Sequence, residues 1–192
     1  EGRQIIQSTE RDPLTGLYNR EFFFSYADQY DQHHKDVAMD AIVLDINHFS
    51  IINERYGRAY ADEVLRRVGG KAREMVQESG GIVCRREADI FLIYCPHRED
   101  YKAILDNAST GLSDEQNSTS RVRLRMGVYS NADKSLDLER RFDRAKSASD
   151  SVRNSVTRNI GIYDDTLHKA ELYQERLIDD FHKAIEEKQL TV

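Results

Sequence analysis

Between Ala41 and Leu65 the chain reads AIVLDINHFSIINERYGRAYADEVL, and this stretch holds residues whose types and spacing could do chemistry. Ala41-Ile42-Val43-Leu44 run straight into Asp45, the pattern of a buried strand ending in a carboxylate. His48-Phe49-Ser50-Ile51-Ile52-Asn53 then turns into a helical pattern, Gly57 breaks it, and a second helix opens near Tyr60. A strand that delivers an acid to its C-terminal end, followed at once by a helix N-terminus, suits a metal-bound phosphate. The carboxylate would hold the cation, and the N–H groups of the new helix would face the anion.

The elements that must position this stretch follow from the flanking pattern. Residues 1–10 read as a linker or helix end around Ile5-Ile6, and Asp12-Pro13-Leu14-Thr15-Gly16-Leu17 is turn chemistry. Asn19 caps a helix running to about Gln32, with Phe22, Phe23, Tyr26 and Tyr30 on one face. His33-His34 end it as solvated histidines, because no further metal ligand is close in sequence. The organising strand spans Met39 to Ile46. A longer helix from about Tyr60 to Gln77 buries Val64, Leu65, Val68 and Met75. Gly69-Gly70 weaken that helix by about 1 kcal/mol each relative to Ala.

Gly80-Gly81 stop the helix and open a hairpin, Ile82 to Arg86 and Asp89 to Cys95, turned through Glu87-Ala88. With that turn Cys84 faces Phe91 and Cys95 lies beyond the partner strand, so no disulfide joins them. A helix over 99–107 and a polar loop over 111–120 follow; the Asn117-Ser118-Thr119 sequon in that loop is a chance match. Arg121 to Tyr129 alternates as a half-buried strand with Val122, Leu124, Met126 and Val128 inward. Leu136 to Asn154 is helical, with Leu138, Phe142, Ala145 and Val152 inward, and Asn159 to Tyr163 is a short strand. A charged helix from about Thr166 to Lys188 carries Ala170, Tyr173, Leu177, Phe181 and Ala184 at steps of three and four. Leu190-Thr191-Val192 begins to read as another strand. The order of elements implies an α+β fold: a mixed sheet of about five strands, helices packed around it and a β-hairpin within it.

Composition narrows the function classes. A chain of 192 residues makes one domain with an appendage. A net charge of −6 with 32% charged residues argues against nucleic-acid binding, which wants a basic face. No apolar run reaches bilayer length and no signal peptide opens the chain, so this segment is expected to make no membrane contact. Two unpaired thiols point to a reducing cytoplasm. The first residue is Glu1, which points to a piece of a longer polypeptide.

Several ordered pieces together resemble the GGDEF family, the diguanylate cyclases that condense two GTP into cyclic di-GMP on a fold related to the adenylyl cyclase core. DPLTGLYNR (Asp12 to Arg20) resembles the family's opening motif, LDINHFSIINERYGRAYADEVL its nucleotide-site motif, and READIF (Arg86 to Phe91) stands at the signature hairpin. The final helix, DDFHKAIEEKQLTV, resembles the linker into an EAL phosphodiesterase domain. The resemblance divides the chain into a linker at 1–10, the domain at 11–165, and a linker helix at 166–192.

Position by position, the resemblance puts Asp45 on the first metal carboxylate, Ile46 on the assisting carbonyl and Asp89 on the second metal ligand, for Mg2+. Asn53 and Asp62 fall on the pair that reads the guanine edge of GTP, and the loop Asn47 to Ser50, with His48, Phe49 and Ser50, would wrap the phosphates. The departures matter more. Glu87 and Ala88 replace the signature's two glycines and Ile90 its fourth acid. Ser50 stands for a phosphate-binding Lys, Arg58 for His, Ala61 for Gly and Asp150 for a second Lys, while Glu78 and Gly81 occupy the product-inhibition motif. At about 5 Å and an effective dielectric near 20, repulsion between the Glu87 carboxylate and one phosphate charge would cost roughly 3 kcal/mol.

The sequence therefore reads as a catalytically degenerate domain with a regulatory role, able to bind GTP without turnover. The partners implied are a downstream EAL domain in the same chain, an upstream sensor and a second copy of the domain. Two other readings stay open: an active cyclase that tolerates the altered turn, and a structural or dimerisation domain that binds no nucleotide.

Overall fold

A computed structural model describes residues 10–112 and 122–190. The elements run α1 (Arg20–His33), β1 (Met39–Ile46), α2 (Phe49–Tyr56), α3 (Arg58–Ser79), β2 (Ile82–Glu87), β3 (Ile90–Pro96), α4 (Tyr101–Gly111), β4 (Leu124–Tyr129), α5 (Leu138–Ser151), β5 (Ile160–Ile162) and α6 (Asp165–Leu190). The chain divides into two compact units, Glu1–Ile162 and Tyr163–Val192.

In the first unit the five strands lie in the order β2-β3-β1-β4-β5, antiparallel except for the parallel β4–β5 pair. β1 is central and buried along its whole length. Because side chains alternate across a strand, Ile42, Leu44 and Ile46 join one face with Phe91, Ile93, Leu124, Met126 and Val128. Val64, Leu65, Val68 and Met75 of α3, with Leu105 of α4, cover that face. Each fully buried Ile or Leu there contributes about 2 kcal/mol. The opposite face carries Val43, Asp45, Tyr94 and Arg125, and α5 packs across β4 and β1.

Helix boundaries follow local chemistry. Asn19 caps α1 by accepting the Phe22 N–H at 2.9 Å, and Asp137 caps α5 by accepting the Arg140 N–H at 2.8 Å. A buried clamp then ties α1, β3 and α5 together. Arg141 Nη1 donates to Asp31 Oδ2 at 2.6 Å, and the Tyr94 hydroxyl donates to Asp31 Oδ1 at 2.7 Å.

Several expectations are corrected in detail. The buried face of α1 is Phe23, Ala27 and Asp31, while Tyr18, Phe22, Tyr26, Tyr30 and His34 stack at four-residue spacing along another side. The two stripes are offset by one residue, about 100° around the helix, and packing against Phe142 selects Phe23. The helix expected from Tyr60 begins at Arg58 and continues unbroken through Gly69-Gly70 to Ser79. Strand β4 is buried on both faces, not half-buried, because α5 covers the side that carries Arg125.

In the hairpin a register irregularity between Arg85 and Glu87 places Cys84 opposite Leu92 and moves the tip to Ala88-Asp89. Cys95 still lies beyond the end of β2, and both thiols are free and buried. Burial pushes Cys84 up to about 12 and Cys95 up to about 11, so neither is a nucleophile near neutral pH.

The second unit is one helix, α6, whose first turn is held by Asp164 Oδ1 accepting the Leu167 N–H at 2.9 Å. Leu190 ends this helix and does not begin a strand. Residues 1–9 of the expected linker at 1–10, the sequon at Asn117 and the end at Thr191-Val192 lie outside the described residues. Among the described residues no helix is long and apolar enough to cross a membrane.

Candidate functional site

Asp45 is the penultimate residue of β1 and is 3% exposed. Its direct cross-strand neighbour on β4 is Arg125, 6% exposed, whose Nη2 donates to Asp45 Oδ2 at 2.7 Å. Arg125 Nε donates to Ser149 Oγ of α5 at 3.2 Å, so both ends of the guanidinium are fixed. Asp45 Oδ1 is buried with no hydrogen-bond partner among the described residues.

After β1 the chain turns sharply. The Asn47 N–H donates to the Arg123 carbonyl at 2.8 Å, and His48 adopts a left-handed φ of 55° before α2 starts at Phe49. His48 and Ser50 are exposed, and Phe49 packs partly against the core. Beside Asn47 opens a cleft of about 460 Å3 lined by Lys102, Arg123, Arg125 and Arg158. Asp106 lines the cleft too and takes Lys102 at 3.1 Å, and Arg125 is taken by Asp45, so Arg123 and Arg158 supply its remaining positive charge; neither stands at the motif's phosphate-binding positions.

The hairpin reaches the same end of β1. Asp89 Oδ2 accepts the Ile46 N–H at 3.2 Å, which fixes the tip beside Asp45. Burial, with the Asp45 carboxylate adding to it, pushes the Asp89 carboxyl above the usual carboxylate range, against the Ile46 N–H and Arg125. Ala88 holds φ at 45°, a conformation in which glycine would be unstrained, and its carbonyl accepts Arg85 Nε at 2.8 Å. The Glu87 side chain is 69% exposed and lies 4.0 Å from Arg86 Nε. Water and that guanidinium screen it, and at a dielectric near 80 the repulsion expected from the sequence falls to about 0.8 kcal/mol.

The structure thus brings Asp45, Ile46 and Asp89 together. Asn53 on α2 is exposed and Asp62 on the adjoining α3 is half-buried, and neither side chain hydrogen-bonds another described residue. Ala61 is buried, which leaves no room for a ligand group at that position. Asp150 is exposed and paired with Lys146 at 2.6 Å. Arg125 and Ser149 were not singled out by the sequence. The available signal was a strand residue between Leu124 and Met126 in a sheet that helices must cover on both sides.

Residues 9–159 match the family profile described as diguanylate cyclase, GGDEF domain. The chain belongs to the GGDEF family. Among curated relatives, the diguanylate cyclase VdcA of Vibrio cholerae is 30% identical over 87 residues, which is 45% of this chain and 25% of that protein. The chain spans between 11% and 25% of the length of the first curated relatives it matches. The solved coiled coil and GGDEF domain of DgcB from Caulobacter crescentus, in complex with c-di-GMP, aligns with a TM-score of 0.70. It is 19% identical and covers 83% of this chain and 88% of that one. The S helix-GGDEF-EAL segment of Vibrio cholerae LapD, bound to c-di-GMP, gives a TM-score of 0.65 at 17% identity, over 93% of this chain and 44% of that one. At these identities the solved structures establish the fold of a GGDEF domain and not its chemistry.

Cyclases of the family act on GTP with Mg2+, so the residues here can be tested for fit to that cation. They do not fit it. One oxygen of Asp45 is taken by a guanidinium, Asp89 is bonded to backbone, and no cluster of three or more His, Cys, Asp or Glu able to hold a metal occurs among the described residues.

Proposed function

We propose that this GGDEF domain is catalytically degenerate and acts as a regulatory module in cyclic di-GMP signalling in the cytoplasm, binding GTP without turning it over. The observation that carries the reading is the hairpin tip. Glu87, the last residue of β2, and Ala88 at the tip place two side chains where an active cyclase keeps the hairpin bare for the approach of phosphate, and Ala88 does so in a left-handed conformation. Ser50, exposed beside the turn into α2, and Asp150, paired with Lys146, add no cation at the positions where the family places lysines.

Support for retained nucleotide binding comes from Asn53 and Asp62, which present an amide and a carboxylate unpartnered among the described residues, on adjoining helices. The amide can donate and accept, and the carboxylate accepts from guanine N1–H and N2–H2. The same reading assigns α6 as the arm leading from the domain at 11–165 toward an EAL phosphodiesterase domain, with a sensor upstream and a second copy as further partners. The alignment with the S helix-GGDEF-EAL segment of LapD supports that arrangement.

The reading is tested by incubating the protein with GTP and Mg2+ and chromatographing the products beside an active cyclase. No cyclic di-GMP above the protein-free control is expected. Accumulation proportional to protein concentration overturns the reading in favour of an active enzyme.

A further inference from the structure

Asp45 and Arg125 are directly opposed on the β1–β4 ladder, and both are more than nine-tenths buried. Opposed residues on neighbouring strands lie close enough for their side chains to meet without backbone movement. The pair therefore forms wherever the sheet forms. Resting on the assignment of Asp45 to the family's first metal position, we propose that the Arg125 guanidinium is a built-in counter-cation that replaces the divalent ion there.

Three observations converge on this. First, Arg125 is anchored twice, to Asp45 Oδ2 at 2.7 Å and to Ser149 Oγ at 3.2 Å, so it cannot swing out to admit an ion without breaking both bonds under α5. Second, a divalent cation at Asp45 would sit in a low-dielectric site against the fixed positive charge of a guanidinium. Third, the fit of the guanidinium to the carboxylate is incomplete. Arginine and carboxylate pairs commonly align two parallel bonds, whereas only one forms here and Asp45 Oδ1 stays unpartnered among the described residues. An arginine on a position that still offers a free carboxylate oxygen is what replacement of a smaller cation leaves behind. Asp89 is then restrained by the Ile46 N–H and not by a shared ion.

The consequence is a domain whose cation cannot be removed, supplied or exchanged. Chelators and the free Mg2+ level have no hold on it.

Manganese is the probe. Mn2+ is titrated into wild type, Arg125→Ser, Asp45→Asn and the double variant, reading bound ion by the loss of the free-ion paramagnetic signal. The wild type is expected to show no saturable site up to millimolar Mn2+. Arg125→Ser is expected to gain at least about tenfold in affinity, with a thermal midpoint that Mn2+ raises, and the double variant loses both gains. Saturable binding by the wild type that disappears in Asp45→Asn overturns the proposal, and so does a folded Arg125→Ser with no gain. Should Arg125→Ser fail to fold, Arg125→Gln takes its place under the same expectations, and a folded Arg125→Gln with no gain overturns the proposal. A wild type that binds Mn2+ at Asp45 yet makes no cyclic di-GMP removes the counter-cation and leaves the inactive reading standing. Product formation strikes the inactive reading itself.

Discussion

Two buried aspartates of β1, Asp40 and Asp45, are compensated in different ways, and on the proposed reading the difference separates a structural acid from a vacated functional one. Asp40 is fully buried and accepts from the Asn131 N–H at 2.7 Å, the Arg98 N–H at 3.1 Å, the Tyr101 hydroxyl and His97 Nδ1 at 2.9 Å. Asp45 has one guanidinium bond and one bare oxygen. A carboxylate satisfied by four groups on three segments is a rivet for the sheet end, whereas Asp45 is left half-satisfied among the described residues. The first has a consequence in pH. The bond to Asp40 raises the affinity of His97 for its proton, with the nearby Glu99 acting the same way. A raised value in the folded state means that this contribution is complete below the unfolded histidine value, about 6.5, and is lost as pH rises through the folded one. The urea midpoint of the wild type is therefore expected to fall above about pH 6.5 more steeply than that of His97→Asn. Parallel profiles for the two proteins contradict the assignment.

At the scale of elements, α5 is what makes the site what it is. It crosses β4 and β5 so closely that a Cβ at Gly127 would run into the Ala145 carbonyl and the Ser149 N, and one at Gly161 into the Ala148 carbonyl. That contact puts Ser149 over Arg125 and seals Asp45 from water. Gly127→Ala must push the helix off the sheet, and a loss of at least about 3 kcal/mol by urea denaturation is expected, often seen as failure to fold. A change below about 0.5 kcal/mol would show that the helix rides higher. The order of elements, the Asn19 cap and the core residues of α3 are legible in the sequence because local chemistry and period set them. The hairpin register is not, since an irregularity at Arg86 shifts pairing without altering the alternation of residues. Nor is the burial of Arg125. A polar residue at alternate strand positions reads as solvent-facing whether water or a helix lies above it; Gly127 and Gly161, glycines inside strand patterns, are the signal of a close approach.

For the whole molecule, the fold of a GGDEF domain is retained; on the proposed reading the ion and the bare bend that the chemistry uses have been exchanged for side chains of the protein itself. The same reading leaves Asn53 and Asp62 open to a guanine base, and the cleft beside Asn47 open to ligand. A domain of this kind can report nucleotide level through its conformation without consuming the nucleotide. The most direct measurement is a calorimetric titration of GTP into the wild-type protein, with Mg2+ and again with a chelator. The account predicts binding heat that is lost in Asp62→Ala and an affinity that Mg2+ does not strengthen. Binding that tightens about tenfold or more with Mg2+, and that Asp45→Asn abolishes, would contradict it.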